Sequence, residues 1–193
     1  MIIKNAVELS HEYLAKVIQP GDTVVDATVG NGHDTLFLAK SVGKNGCVYG
    51  FDIQKEAINN TEKKLASCDE NEQVKLICKG HHELNAFISD STEIKAAVFN
   101  LGYLPSGDKT IVTRPETTIQ AVQSIQERLH KHGLIVLVVY PGHPEGKIEA
   151  DAVLDYVKHL DQKQWRVLKY EMFNQINNPP FLIVIEGVLI EGV

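Results

Sequence analysis

Short runs rich in β-branched apolar residues alternate with longer segments of helical period along nearly the whole chain. TVVDAT (23–28) precedes GHDTLFLAKSV. CVYGFDI (47–53) precedes QKEAINNTEKKLAS, in which Ala57, Ile58, Thr61 and Leu65 share one helical face. QVKLIC (73–78) leads to HHELNAFIS, IKAAVFNL (94–101) to a polar loop and then TTIQAVQSIQERLHKH, and GLIVLVVY (133–140) to EADAVLDYVKHLDQK. A helix, AVELSHEYLAKVI, stands ahead of the first strand. The last two strands, RVLKYEMF (166–173) and FLIVIEGV (181–188), are joined by NQINNPP, a loop suited to a hairpin. Five β-α units and a closing hairpin predict an α/β fold. Its sheet is seven-stranded and mostly parallel, antiparallel at the C-terminal pair, with helices on both faces. AAVFNL and GLIVLVVY are too continuously apolar for a sheet with a wet face and are expected at its centre. No linker or internal repeat interrupts the pattern, so residues 1–193 are read as one domain.

Composition narrows the partners. The chain of 193 residues is 44% hydrophobic and 23% charged, with no apolar run near membrane-span length and no signal-peptide pattern at its start. Cys47, Cys68 and Cys78 have neither C-x-x-C spacing nor an even count, which suits a reducing cytoplasm without zinc or disulfides. A net charge of −6 argues against indiscriminate nucleic-acid binding and favours a small-molecule substrate. It leaves room for a folded RNA met by a local basic patch.

The chemistry concentrates where strands end. In a doubly wound sheet, ligands bind at the carboxyl ends of the strands. There Gly30 and Gly32 let backbone approach a ligand ahead of a helix N-terminus. The loop reads GNGHDT, lacking the third glycine of a dinucleotide site, and Asp26 at the strand end would oppose a pyrophosphate. An acid there suits a cationic ligand. S-Adenosyl-L-methionine carries an ammonium and a sulfonium and no phosphate, and Asp26-x-Thr28-x-Gly30-x-Gly32 resembles the first motif of class I methyltransferases. Asp52, twenty residues beyond Gly32, ends the second strand where a carboxylate can take both ribose hydroxyls, and Gln54 can reach the sugar or the adenine edge.

After the fourth strand, Asn100-Leu101-Gly102-Tyr103-Leu104-Pro105 resembles the N-P-P-Y motif of amino-group methyltransferases, stretched and without its first prolines. There a side-chain carbonyl aims the target nitrogen and an aromatic ring stacks on the base. Asn100 and Tyr103 are the candidates for these roles. The fifth-strand loop PGHPEGK (141–147) adds Tyr140 and His143 as residues to hold or deprotonate an acceptor, and Lys147 as a phosphate contact. His81 and His82 stand near the expected adenine. Without a third ligand they indicate no metal. His33 is expected to orient the glycine turn. His11, His130, His132 and His159 fall on predicted helix surfaces and are read as solvated.

VVDATVGNGHDT, YGFDIQ, FNLGYLPSGDK, LIVLVVYPGHPEGK and NNPPF together resemble one bacterial family with a Rossmann-like class I methyltransferase fold, long labelled rRNA methylases. A better-defined description is tRNA 5-aminomethyl-2-thiouridine methyltransferase, acting at the wobble position. The resemblance implies a cofactor site at Asp26, Asn31, Asp34, Asp52, Gln54 and His82, with Asn100 facing the methyl donor. It also implies a tRNA partner and a homodimer, for which Lys109, Arg114 and Lys147 could supply positive charge. Pro141 departs from relatives that can carry histidine, which leaves His143 as the candidate base. The competing readings are an exocyclic amine of ribosomal RNA as acceptor, a non-catalytic RNA-binding module, and, third, a nicotinamide dehydrogenase.

Overall fold

The computed structural model describes residues 2–102, 104 and 112–188. Its elements are α1 (Ala6–Val17), β1 (Thr23–Asp26), α2 (His33–Val42), β2 (Cys47–Phe51), α3 (Lys55–Ser67), β3 (Val74–Ile77), β4 (Ile94–Asn100), α4 (Pro115–Gln126), β5 (Leu129–Val139), α5 (Pro144–Lys158), β6 (Trp165–Tyr170) and β7 (Phe181–Gly187). One seven-stranded sheet runs β3-β2-β1-β4-β5-β7-β6. β3, β2, β1, β4 and β5 are mutually parallel, whereas β7 runs antiparallel to β5 and β6. β4 and β5 are interior strands, as their unbroken apolar runs require.

Side-chain alternation along these strands divides the core in two. Val25, Ala97, Phe99, Ile135, Leu137, Ile183 and Ile185 face one layer with Ala121, Val122 and Ile125 of α4 and Ala150 and Val153 of α5. Val24, Ala96, Val98, Val136, Val138, Leu182 and Val184 face the other, with Leu14 of α1, Leu38 of α2 and Leu65 of α3. Odd positions therefore meet one helical layer and even positions the other. α1 begins with a reciprocal capping box between Asn5 and Glu8 and lies across β4, β5 and β7.

Several element boundaries differ from expectation. HHELNAFIS forms only a six-residue 3-10 turn, His81–Ala86. α4 ends at Gln126, and β5 has already begun at Leu129, so His130 and His132 lie on a strand instead of a helix. The register between β4 and β5 jumps from Ile94–Leu129 to Ala96–Leu134, and His132 takes a left-handed φ of 56° at this irregularity. α5 starts at Pro144, five residues before the helical period becomes visible at Glu149. Proline at the first helical position needs no N–H partner there.

Candidate active site

The loops leaving β1, β2, β3, β4 and β5 converge on a cleft of about 1010 Å³ at the carboxyl rim of the sheet. Thr28, Gly30, Asn31, Asp34, Asp52, Gln54, His82, Asn100, Tyr140 and His143 all line it. Tyr103 and Lys109 lie outside the described residues. Lys147 is exposed on α5 and is not part of the cleft wall.

The glycine loop is held from three sides. Gly30 donates its N–H to Asp52 Oδ2 at 2.9 Å, its carbonyl accepts from Thr61 Oγ1 at 3.2 Å, and Gly32 N–H returns to the Val29 carbonyl at 2.8 Å. Gly30 and Gly32 have φ of 52° and 72°, and a Cβ on Gly32 would lie 2.5 Å from Thr61 Oγ1. Positive φ and the closeness of α3 both demand glycine at 32.

Asp26 does not face the cleft, contrary to expectation. As an even-numbered residue of β1 it points with Val24 toward the α2 layer. There Oδ2 accepts from Thr35 Oγ1 at 2.6 Å and Oδ1 from the Thr28 N–H at 3.1 Å. Burial, reinforced by the nearby Asp34 charge, pushes its carboxyl up to about 7. Asp26 fastens the loop to the helix behind it. Gly32, likewise expected at the ligand, sits against Thr61 and not on the cleft wall.

The acids on the cleft wall are Asp34 and Asp52. Asp52 Oδ1 accepts from the Gln54 N–H at 2.8 Å while Oδ2 holds Gly30, and burial raises its pKa against these two bonds. Asp34, in the first turn of α2, accepts from Asn100 Nδ2 at 3.2 Å through Oδ2 and meets His11 Nε2 at 2.7 Å through Oδ1. Asn100 is fixed at its backbone too, its N–H donating to Thr28 Oγ1 at 2.6 Å. His11, read from sequence as solvated, is therefore half-buried at the edge of the site, stacked on Phe37.

His81 Nδ1 donates to the Ala27 carbonyl at 2.9 Å, and burial lowers the ring's pKa to about 4, so Nε2 offers a neutral lone pair. That atom is buried with no hydrogen-bond partner, although His81 is among the residues of the cleft wall. His82 closes over Gly80, where a Cβ would lie 2.5 Å from its ring. His143 caps α5 by accepting the Gly146 N–H on Nδ1 at 3.0 Å. The cap occupies the lone pair that a base would use, which counts against the expected acid–base role. Burial and the Asp34 charge raise the Tyr140 hydroxyl pKa. On the far side of the cleft, Glu149 accepts from Thr118 at 2.7 Å and from Thr113 at 2.5 Å, and Thr113 Oγ1 accepts the Gly102 N–H at 2.8 Å. This pins the foot of the loop after β4.

Sequence reasoning gave Arg114 only a role in supplying positive charge and left Thr117 and residues 177–180 unassigned, although all line the cleft. The last group gets there because β7 is antiparallel: the loop entering it lies at the carboxyl end of β5. Among the described residues no three His, Cys, Asp or Glu side chains converge as a metal site would need.

A family model described as "Putative rRNA methylase" matches residues 48–186. The chain belongs to this rRNA methylase family. A chloroplastic tRNA (mnm5s2U34)-methyltransferase of Arabidopsis thaliana is 41% identical over 180 residues, which is 89% of this chain and 66% of that protein's length. The structure of a family member from Clostridium thermocellum superposes with a TM-score of 0.94 at 48% identity, covering 97% of this chain and all (100%) of the other. A Streptococcus mutans methyltransferase solved in complex with S-adenosylhomocysteine gives 0.88 at 42% identity, covering 96% and 99%. The fold is that of the class I methyltransferases.

The residues present fit an adenosyl sulfonium ligand. The cleft holds two carboxylates, and at Gly30 its glycine turn brings backbone to the cleft wall. Asp34 and Asp52 suit cationic and hydroxyl groups and would repel a pyrophosphate.

Proposed function

We propose that the protein transfers a methyl group from S-adenosyl-L-methionine to the primary amine of 5-aminomethyl-2-thiouridine at the tRNA wobble position, giving 5-methylaminomethyl-2-thiouridine. In this reading Asp52 and Gln54 hold the ribose, and His82 with Asn31 encloses the adenosine. Asp34 and the Thr28–Gly30 turn face the amino-acid end. The bound cofactor supplies an electrophilic methyl group on a sulfonium. The chain itself aligns the acceptor.

The observation that carries the reading is the setting of Asn100. Its amide nitrogen is committed to Asp34, so Oδ1 remains as the acceptor for a substrate N–H at the end of β4. An amine held there by one proton points its lone pair away from that bond. Positioning of this kind is worth as much as ~7–11 kcal/mol in favourable cases. The amine attacks only when neutral, and two effects compete: exclusion from water favours the neutral form, while Asp34 favours the ammonium. Because the helix cap occupies His143 Nδ1, water in the cleft is the better proton acceptor. Tyr140 and His143 then serve to enclose the acceptor. The name of the plant relative supports the tRNA substrate.

The proposal includes residues 1–193 acting as one catalytic unit, in the cytoplasm, as a homodimer whose paired surfaces meet the tRNA. Among the described residues no helix is long and apolar enough to cross a membrane. The family description favours a second reading, an exocyclic base amine of ribosomal RNA as acceptor. Mass spectrometry of nucleosides from cells lacking the gene separates the two. Accumulated 5-aminomethyl-2-thiouridine in tRNA is expected. Intact tRNA with an undermethylated ribosomal base would overturn the tRNA reading.

A further inference from the structure

An asparagine amide presents either its oxygen or its NH₂ to a ligand, and rotation by half a turn exchanges them. Only the oxygen can accept an amine proton. What fixes the rotation of Asn100 is therefore a question about catalysis, and the answer lies outside the cleft. Asn100 Nδ2 donates to Asp34 Oδ2, and Asp34 has its other oxygen on His11 Nε2 at 2.7 Å. A carboxylate can only accept, so Nε2 carries the proton of this bond. The His11 ring lies flat on Phe37, with centroids 4.2 Å apart and planes within 1°. Asp34 and Phe37 are three residues apart on α2, so one helical face presents both the carboxylate and the ring's platform. His11 itself comes from α1, which packs on the sheet beneath Asn100.

We propose that His11 is a positioning residue: by clamping Asp34 against α2, it holds the Asn100 amide with its oxygen toward the acceptor. His11 does not line the cleft; it acts through two hydrogen bonds in series. Without it, Asp34 can turn about its side-chain bonds, and Asn100 loses the partner that distinguishes its two ends. Thr28 would still hold the Asn100 backbone, so the loss falls on the amide orientation and leaves the loop in place.

This inference takes its catalytic meaning from the amine-methylation reading, but its structural half can be tested without any RNA. The Asn100 side-chain amide is followed by ¹⁵N–¹H NMR in the free protein, assigned by its disappearance in Asn100→Ala. One of its protons is expected downfield and slow to exchange. In His11→Ala that signature collapses, and turnover on undermethylated tRNA falls about 10- to 100-fold. His11→Gln places an N–H near the Nε2 position and restores both. Should His11→Ala fail to fold, His11→Gln and His11→Asn decide, the second being too short to reach Asp34. An Asn100 resonance unchanged in a folded His11→Ala or His11→Asn overturns the proposal. So does a folded His11→Gln that recovers neither signal. If the wild-type protein methylates no tRNA, the functional reading fails and the NMR result still decides the role of His11.

Discussion

Replacing Asp52 by Asn separates the two jobs assigned to this carboxylate. Each oxygen accepts one backbone N–H, from Gln54 at 2.8 Å and from Gly30 at 2.9 Å. An amide keeps one acceptor and turns the other into a donor facing a donor, which strands one N–H at a cost of about 1–3 kcal/mol. The substitution also removes a charge that burial disfavours, as the raised pKa of Asp52 indicates. The two effects oppose, so the expected loss of folding stability is small, about 0–1 kcal/mol. Cofactor affinity has no such compensation. A hydrogen bond to a charged group contributes about 1.5–3 kcal/mol, so losing one from a ribose hydroxyl weakens binding roughly 10- to 150-fold. Calorimetric titration with S-adenosylhomocysteine, beside urea unfolding of the same variant, reads both quantities. A dissociation constant within about threefold of wild type, with the fold intact, would refute Asp52 as the ribose ligand.

Other substitutions test separate parts of the site. Gly32→Ala meets a left-handed φ of 72° and the Thr61 side chain 2.5 Å from the new Cβ. It should cost about 2–5 kcal/mol in unfolding experiments, the sum of a conformational and an overpacking penalty. The Asp26 carboxyl is raised from 3.8 to about 7, so the folded state keeps a proton that the unfolded chain releases. Its contribution is fully present below pH 3.8 and is lost as pH rises through about 7. Urea titrations should show wild type losing about 2 kcal/mol more than Asp26→Asn between pH 5 and 7. Asn100→Ala should retain S-adenosylhomocysteine binding while turnover falls about 100-fold or more, and near-normal turnover would remove Asn100 from the mechanism.

Much of the fold was legible because burial on both faces leaves its mark on composition. GLIVLVVY and AAVFNL have no polar alternation, and both became interior strands. The Asn- and Pro-rich NQINNPP segment marked the antiparallel return correctly. Its place at the cleft was not legible, because it follows from which neighbour β7 selects. The end of α4 was misread because the residues around His130 continue a helical pattern, whereas the helix stops at Gln126 and β5 begins at Leu129. Asp52, Gln54 and Asn100 could be placed at the cleft because a strand end in a parallel sheet fixes their position, whereas His82 was placed there by the resemblance. Direction was harder. Asp26 occupies a motif position, yet its strand parity turns it under α2 toward Thr35. His11 gave no signal, since 23 residues and a whole strand separate it from Asp34.

The distribution of charge reconciles a chain of net charge −6 with the proposed RNA substrate. Asp34 and Asp52 line the cleft, with Asp26 just behind them, while exposed Lys79 and Arg114 stand along its wall. In the proposed reaction, carboxylates within the cleft attract what must enter it, a sulfonium cofactor and an amine that reaches the protein mostly as ammonium. They repel the phosphates that must stay outside. Lys79 and Arg114 are where a backbone passing over the opening can be met. A uniformly basic cleft would have drawn the phosphate in and left the amine unrecognised, so an acidic chain suits an enzyme that reads one cationic group on an otherwise anionic polymer. On this argument, charge reversal at Arg114 should weaken tRNA binding and leave cofactor affinity unchanged, whereas neutralising Asp34 should weaken cofactor binding. Equal loss of both affinities in Arg114→Glu, measured on the folded variant, would show that the two charge zones are not independent.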